Sequence, residues 1–355
     1  MAVGFPAKTT YANGDVFSAS DINDTNGTLN IVAGAQFAAG KNKILNSNFA
    51  IWQRGTSFAS AADSTYFADR FLTNWSAGGA TNTFSRQTFT AGTAPVAGYE
   101  SQYFARLAAT GATGTTQIGI GQRVEDVRTL AGSTVTFSFW AKADSARTLN
   151  YYIQQNFGSG GSATVTASGA ISAVTTSWAR YSVTVTLGAM TGKTIGTGSY
   201  VQFDIYAASQ SGSISIDIWG VQLESGSTAT AFQTATGTIQ GELAACQRYY
   251  WRQDATNSSG GLISMGTASS TADVYIVLKN PTTMRVKASS VDFSTLSVSD
   301  FANPNLTTSN VVLRTESTEN WSVVRVVVTG ATQYRPYSLT FNSSTSAYVG
   351  FNAEL

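Results

Sequence analysis

Residues 134–143, TVTFSFWAKA, carry the pattern on which the fold turns. On an extended chain Val135, Phe137, Phe139 and Ala141 share one face, while Thr134, Thr136, Ser138 and Trp140 share the other. Residues 213–223, SISIDIWGVQL, alternate in the same way, with Ile214, Ile216 and Ile218 beside Gly220 and opposite Ser215, Asp217 and Trp219. Further runs of strand length lie between Gly, Ser and Asn clusters: TNTFSRQTF (81–89), LNYYIQQNF (149–157), WARYSVTVTL (178–187) and YVQFDIYAA (200–208). Short strands at this spacing, with no long helical pattern between them, predict an all-β fold, an antiparallel jelly-roll sandwich over residues 41–233. In NSNFAIWQRGTSF (46–58), Trp52 is expected in the core and Arg54 in a salt bridge to Asp69 or Asp126.

On either side of this unit the pattern changes. Residues 1–40 hold a turn signal at Asn13-Gly14-Asp15 and a helix start at Ser20-Asp21, but too little apolar surface to fold alone. They predict an arm that orders against another chain, or else a floppy leader, which composition supports equally. Across residues 234–253, Ile239, Leu243, Cys246 and Tyr250 recur at helical spacing, which predicts a helical connector with a narrow apolar stripe. Strand-like runs resume over 254–355, enough for a second, smaller β domain. Arg325 interrupts the apolar run Val323–Val328, so both faces of that strand are expected to be covered, one of them by a partner chain if not by the fold.

Composition removes whole classes of chemistry. A 43% hydrophobic share across 355 residues supplies a core. The charged share is 12%, about half of the usual 25%, so the surface is polar without being ionic. Net charge is +1 with no basic run, which leaves no footprint for nucleic acid. The chain has no histidine, and with it go the usual general base, the usual zinc ligand and any Ser-His-Asp arrangement. Its single cysteine, Cys246, allows neither an intrachain disulfide nor a thiolate cluster. The first residues lack an apolar signal region and no segment reaches membrane-spanning length, so cytoplasmic synthesis without membrane insertion is expected. Catalysis by carboxylates alone survives these exclusions.

FPAKTTYANGDVFSASDINDTNGTLN (5–30) resembles the N-terminal segment of fibre and tail-associated virion proteins of tailed bacteriophages. The ordered series NSNFAIWQRGTSF, YFADRFLTNW, GQRVEDVRTLAGSTVTFSFWAKA, DIWGVQLESGSTATAFQ and ELAACQRYYW resembles the jelly-roll domain of those proteins, which is similar to carbohydrate-binding modules. AYVGFNAEL (347–355) fits the same pattern. The resemblance implies a virion protein made in the bacterial cytoplasm, attached to other virion proteins through residues 1–40, with Tyr11, Phe17, Ile22 and Leu29 as arm contacts. It also implies a homotrimer and attachment to host cell-surface polysaccharide. A capsid fibre or decoration, or a purely structural tail component, is the alternative within the virion. The remaining alternative is a polysaccharide depolymerase using Glu125, Asp126 or Asp217. Glu125 and Asp126 are adjacent and would face opposite ways on a strand, a poor geometry for a glycosidase pair.

A sugar platform needs an exposed ring flanked by amides and hydroxyls. Tyr151, Tyr152, Gln154, Gln155 and Asn156, on a polar strand leading into a glycine-rich loop, are candidates, together with Trp75 in LTNWSAGG and with Tyr334 and Tyr337 around Pro336. The plain reading of each is an ordinary solvent-facing side chain. No cofactor is expected. Structural calcium is an alternative implied by the resemblance, at Asn48 and Asp217, but one hard carboxylate under-supplies such an ion.

Overall fold

The computed structural model describes residues 39–255, 261–301 and 305–355. The arm contacts Tyr11, Phe17, Ile22 and Leu29 lie outside the described residues. The described chain is all-β with one helix.

The first unit holds β1 (Ser57–Ala59), β2 (Phe71–Ser76), β3 (Thr81–Thr88), β4 (Tyr103–Glu125), β5 (Thr134–Ala143), β6 (Arg147–Asn156), β7 (Val165–Val174), β8 (Ala179–Thr186) and β9 (Tyr200–Ser225). The long strands β4 and β9 pair antiparallel from Ala105↔Ile218 to Glu125↔Tyr200, with register shifts between Ala109 and Ile118. On one side of the shifts the order is β1-β3-β4-β9-β5-β8. On the other, β2 joins β4, and β6 with β7 joins β9. The two leaves therefore share their central strands, and both strands turn where the shifts fall. Left-handed backbone at Gly111 (φ 75), Gly114 (φ 92) and Gly212 (φ 74) makes those turns, a conformation that glycine reaches at no steric cost. The leaves meet through their apolar faces: the Phe137 ring of one lies 4.7 Å from the Phe203 ring of the other, and Phe71, on the same leaf as Phe203, lies edge-on to it.

The segment before β1 is sewn into this core by two buried asparagines. Asn42 donates to the carbonyls of Val221 and Gln233 and accepts from the amides of Ile44 and Leu223. Asn46 donates to Ile51 and Asp69 and accepts from the Ile51 amide. Trp52 is buried, edge-on to Phe67 at 5.7 Å.

The second part begins with α1 (Ile239–Gln247), capped by Thr238, whose side chain accepts from the Gly241 amide. Its strands are β10 (Tyr250–Asp254), β11 (Leu262–Ala268), β12 (Asp273–Lys279), β13 (Ser290–Ser294), β14 (Ser297–Ser299), β15 (Leu306–Thr307), β16 (Asn310–Leu313), β17 (Trp321–Val327), β18 (Pro336–Thr340) and β19 (Tyr348–Asn352). They form a three-stranded sheet, β10-β19-β13, and a seven-stranded sheet, β15-β14-β18-β11-β12-β17-β16, around a separate core.

Three expectations are corrected here. The helix ends at Gln247, and Tyr250 belongs to β10. Ile239 and Leu243 are half exposed, whereas Glu242 and Cys246 are buried. The reason is polar: the Glu242 carboxylate accepts from the Asn46 and Thr236 amides at 2.8 and 2.7 Å, which turns that face inward. Around Arg325 the fold by itself fully buries only one face and partly buries the other. Val324 and Val326 are buried, while Arg325 lies half-exposed on the other face, 3.4 Å from Asp273. Arg54 pairs with Glu354 at 3.3 Å and is attracted by Asp69 nearby, while the Asp126 carboxylate is held by Arg128.

That Glu354 pair is part of the joint between the units. Arg70, 1% exposed, also pairs with Glu354 and stacks on the Tyr249 ring at 3.5 Å. Arg54 stacks on Tyr250 at 3.6 Å, and Gln53 donates to the Tyr250 carbonyl. Removing one partner of such a pair leaves a buried charge uncompensated, at a cost of about 3–5 kcal/mol. Glu354→Ala should therefore lower the melting temperature markedly and split unfolding into two transitions in calorimetry. A single transition near the native temperature would show that the joint carries no such load.

Candidate functional site

The outer face of the β2-β4-β9-β6-β7 leaf is where polar side chains converge. In β9, Val201, Phe203 and Ile205 point into the core, so Gln202, Asp204 and Tyr206 point out. Register then sets their neighbours: Asp204 pairs with Gly121 on one side and Tyr152 on the other, and Tyr206 with Gly119 and Asn150. Leu72 and Asn74 of β2 complete the two rows. A cavity of about 340 Å3 opens here, lined by Asn74, Gln117, Tyr152, Gln202 and Asp204, with Asp63 and Ser64 at its rim.

The floor is glycine by necessity. A Cβ at Gly119 would stand 2.4 Å from the Tyr206 Cβ, and one at Gly121 would stand 2.5 Å from Asp204 Oδ1. Asp204 lies at the base, fully buried. Its Oδ1 accepts from Asn74 at 2.9 Å and its Oδ2 from Gln202 at 2.7 Å. Gln202 also donates to the Tyr152 hydroxyl at 3.2 Å and accepts from Arg123 at 3.0 Å. Gln117 donates to Asn74. Burial pushes the Asp204 carboxyl up to about 7, against the pull of its amide donors. Burial, with Asp204 beside it, likewise pushes the Tyr152 phenol well above its usual value, so it stays a neutral hydroxyl. The Tyr152 and Tyr206 rings lie 6.0 Å apart. The result is a groove of fixed amides, hydroxyls and half-exposed rings with no free cation, a surface fit to exchange hydrogen bonds with a polyhydroxylated ligand.

The candidates from the sequence divide by strand parity. Tyr152 lines the groove, and Gln154 shares its face, donating to Thr166 at 3.4 Å. Asn156 shares that face but accepts from the Gly158 amide in the following turn. Tyr151 and Gln155 point the other way, and this corrects their assignment: Tyr151 packs on the core and over Gly169, and Gln155 is buried against Gly188. Trp75 shares the inward face of Phe71 and packs on the core, and being only partly buried it also lines the cavity. Tyr337 is 3% exposed, its hydroxyl accepting from the Thr332 amide, whereas Tyr334 is 79% exposed. Asn48 donates to the Tyr99 hydroxyl, and Asp217 is already engaged by Arg106 at 2.7 Å and Lys142 at 3.6 Å. Two cations on one carboxylate repel a metal ion, and among the described residues no cluster of three or more His, Cys, Asp or Glu is placed to hold one. Asn74, Gln117, Gln202, Asp204 and Tyr206 were not singled out from the sequence, although the alternation in 200–208 carries the last three.

Residues 59–203 match a family model described as a carbohydrate binding domain, a span running from the end of β1 into β9. No curated protein matches the chain. Among solved structures it is similar to the enzymatically active domain of bacteriophage CBA120 tailspike protein 4, at 14% identity and a TM-score of 0.32 over 52% of this chain. Only 21% of that tailspike structure is spanned. A structure titled "CBM4 structure and function" is similar at 19% identity and a TM-score of 0.31, over 51% of this chain and 98% of that one. TmCBM61 in complex with beta-1,4-galactotriose is similar at 10% identity and a TM-score of 0.28, over 52% and 99%.

A carboxyl whose pKa rises on folding stabilises the fold fully below its unfolded value, and that contribution is lost as pH climbs through the folded value. For Asp204 the window runs from the ordinary 3.8 up to about 7. Between about pH 5 and about pH 8 the melting temperature should fall several degrees further in the native chain than in Asp204→Asn. Parallel curves for the two proteins would show that Asp204 does not titrate in this way.

Proposed function

We propose that the chain is a non-enzymatic glycan-binding protein of a bacteriophage virion, a tail fibre or spike that attaches to host surface polysaccharide. The observation that carries the binding half of this reading is the groove around Tyr152, Gln202 and Asp204, whose lining falls, but for Asp204, within the segment 59–203 that matches a carbohydrate binding domain. Its buried network fixes donors and acceptors before the ligand arrives, so less ordering cost falls on binding. The half-exposed Tyr152 and Tyr206 supply apolar ring surface for the C–H face of a sugar.

The non-enzymatic half is supported by how the carboxylates are used. Glu125 is held by Arg248 and Tyr249, Asp126 by Arg128, and Asp217 by Arg106. Glu125 and Asp217 also sit toward opposite ends of the β4–β9 ladder. Asp204 is sealed beneath its amide partners, and Asp63 accepts from the Trp75 amide and the Ser64 hydroxyl. The virion half is supported by the resemblance of residues 5–30 and of the ordered motifs that follow. It carries the expectation of a homotrimer anchored by residues 1–40, with a capsid decoration as the second reading.

Binding is tested by titrating the full chain with neutral gluco-, xylo-, manno- and galacto-oligosaccharides. Tyr152→Ala should weaken the tightest of them at least tenfold while the oligosaccharide length stays unchanged on incubation. Undiminished binding by that variant would place glycan recognition elsewhere, and shortened chains would make the protein a depolymerase. The virion reading is tested by deleting residues 1–40, which should leave folded protein that fails to join particles. Normal incorporation would remove the arm from the account.

A further inference from the structure

The C-terminal unit holds a second cavity of different character, and we propose that it binds an acidic saccharide, one bearing carboxylate or sulfate groups, independently of the first groove. The cavity measures about 510 Å3 and lies between β10 and the end of the β12–β17 ladder. Its outer wall is a cross-strand pair, Lys279 opposite Trp321. The Lys279 Nζ stands 6.0 Å from the Trp321 ring centroid, and Trp321 is 45% exposed. The inner wall is Trp251, stacked on Phe351 at 5.0 Å and donating its indole N–H to Asn280 at 3.2 Å. Gln247 and Gln253 line the space with these rings. An indole face accepts the C–H face of a sugar ring, and side-chain amides exchange hydrogen bonds with its hydroxyls.

Charge decides the class of sugar. Among the described cavities, this lining holds cations and no carboxylate. The others include Glu100, Asp292, the Glu125–Asp126 pair, or Asp63 with Asp204. Arg252 is already spent, paired with Asp254 at 2.5 Å and stacked on Tyr348 at 3.7 Å. Lys279 has an aromatic ring beside it and, among the described residues, no carboxylate. A neutral sugar seated on Trp321 offers this ammonium only hydroxyl acceptors in exchange for water, with no opposite charge. An acidic one returns a charge-assisted hydrogen bond.

The test is calorimetric titration of the full chain with tetragalacturonate, a sialic acid trimer and a sulfated tetrasaccharide, with galactotetraose as the neutral control. At least one acidic probe should bind, and more weakly as salt is raised to about 0.3 M. Trp321→Ala and Lys279→Gln should each weaken it tenfold or more. Both side chains reach solvent, so an unchanged melting temperature will confirm that these variants fold. Tyr152→Ala, which disables the first groove, should leave this binding in place, so the two sites fail separately. The proposal is overturned if no acidic probe binds, if binding ignores Trp321→Ala, or if it disappears in Tyr152→Ala. It is equally overturned if light scattering finds an oligomer that dissociates on Trp321→Ala, because the exposed strip of Trp321, Val277 and Met265 would then belong to a second copy of the chain.

Discussion

The pairing of β4 with β9 is the constraint from which the first unit follows. Each strand is too long to stay in one flat sheet, and each turns where glycines allow left-handed backbone. Before the turn the pair recruits β3 and β5, and after it β2 and β6. Two leaves with a common spine must face one another, so the apolar sides of both close on Phe137 and Phe203. The opposite side of one leaf is then left for polar residues, and the groove is built there. Register along the spine places Asp204 between Gly121 and Tyr152, and a slip of one residue would send the whole row into the core.

A chain this poor in charge buries three charged side chains at one place. Arg54, Arg70 and Glu354 meet between the units, with Tyr249 and Tyr250 beneath the guanidinium planes. Arg285 adds hydrogen bonds to the Ala353 and Glu354 carbonyls. Burying these ions costs solvation, which close pairing and ring stacking offset. The helix contributes to the same joint through Glu242, whose bonds to Asn46 and Thr236 tie α1 to the opening segment of the first unit. The second unit is thus seated by side chains from both of its ends.

Much of the architecture was legible because period-two alternation survives in a charge-poor sequence. TVTFSFWAKA and SISIDIWGVQL became the core strands β5 and β9 with their apolar faces inward. Parity also separates Tyr152 from Tyr151 and Gln155, but a lone strand does not say which face meets the core. That decision comes from strand pairs distant in sequence, such as Asp204 with Tyr152. Trp75 has the parity of Phe71, which carries it toward the core, yet near the end of β2 it still reaches the cavity. The helix misled because apolar spacing was counted and a carboxylate was not. Glu242 is drawn in by backbone amides from far along the chain, which no local pattern announces. Tyr337 looked like a turn residue because Pro336 precedes it, yet it lies in β18 and is buried.

The glycine floor has a consequence for how this protein can diversify. At Gly119 and Gly121 any larger residue collides with the strand alongside, so those two positions offer no route to a new preference. Innovation is channelled to the walls, where Gln117 and Tyr152 are partly exposed, whereas Asn74 is tied to the buried Asp204. A lineage adapting to altered partners would accumulate changes there while its groove kept one depth.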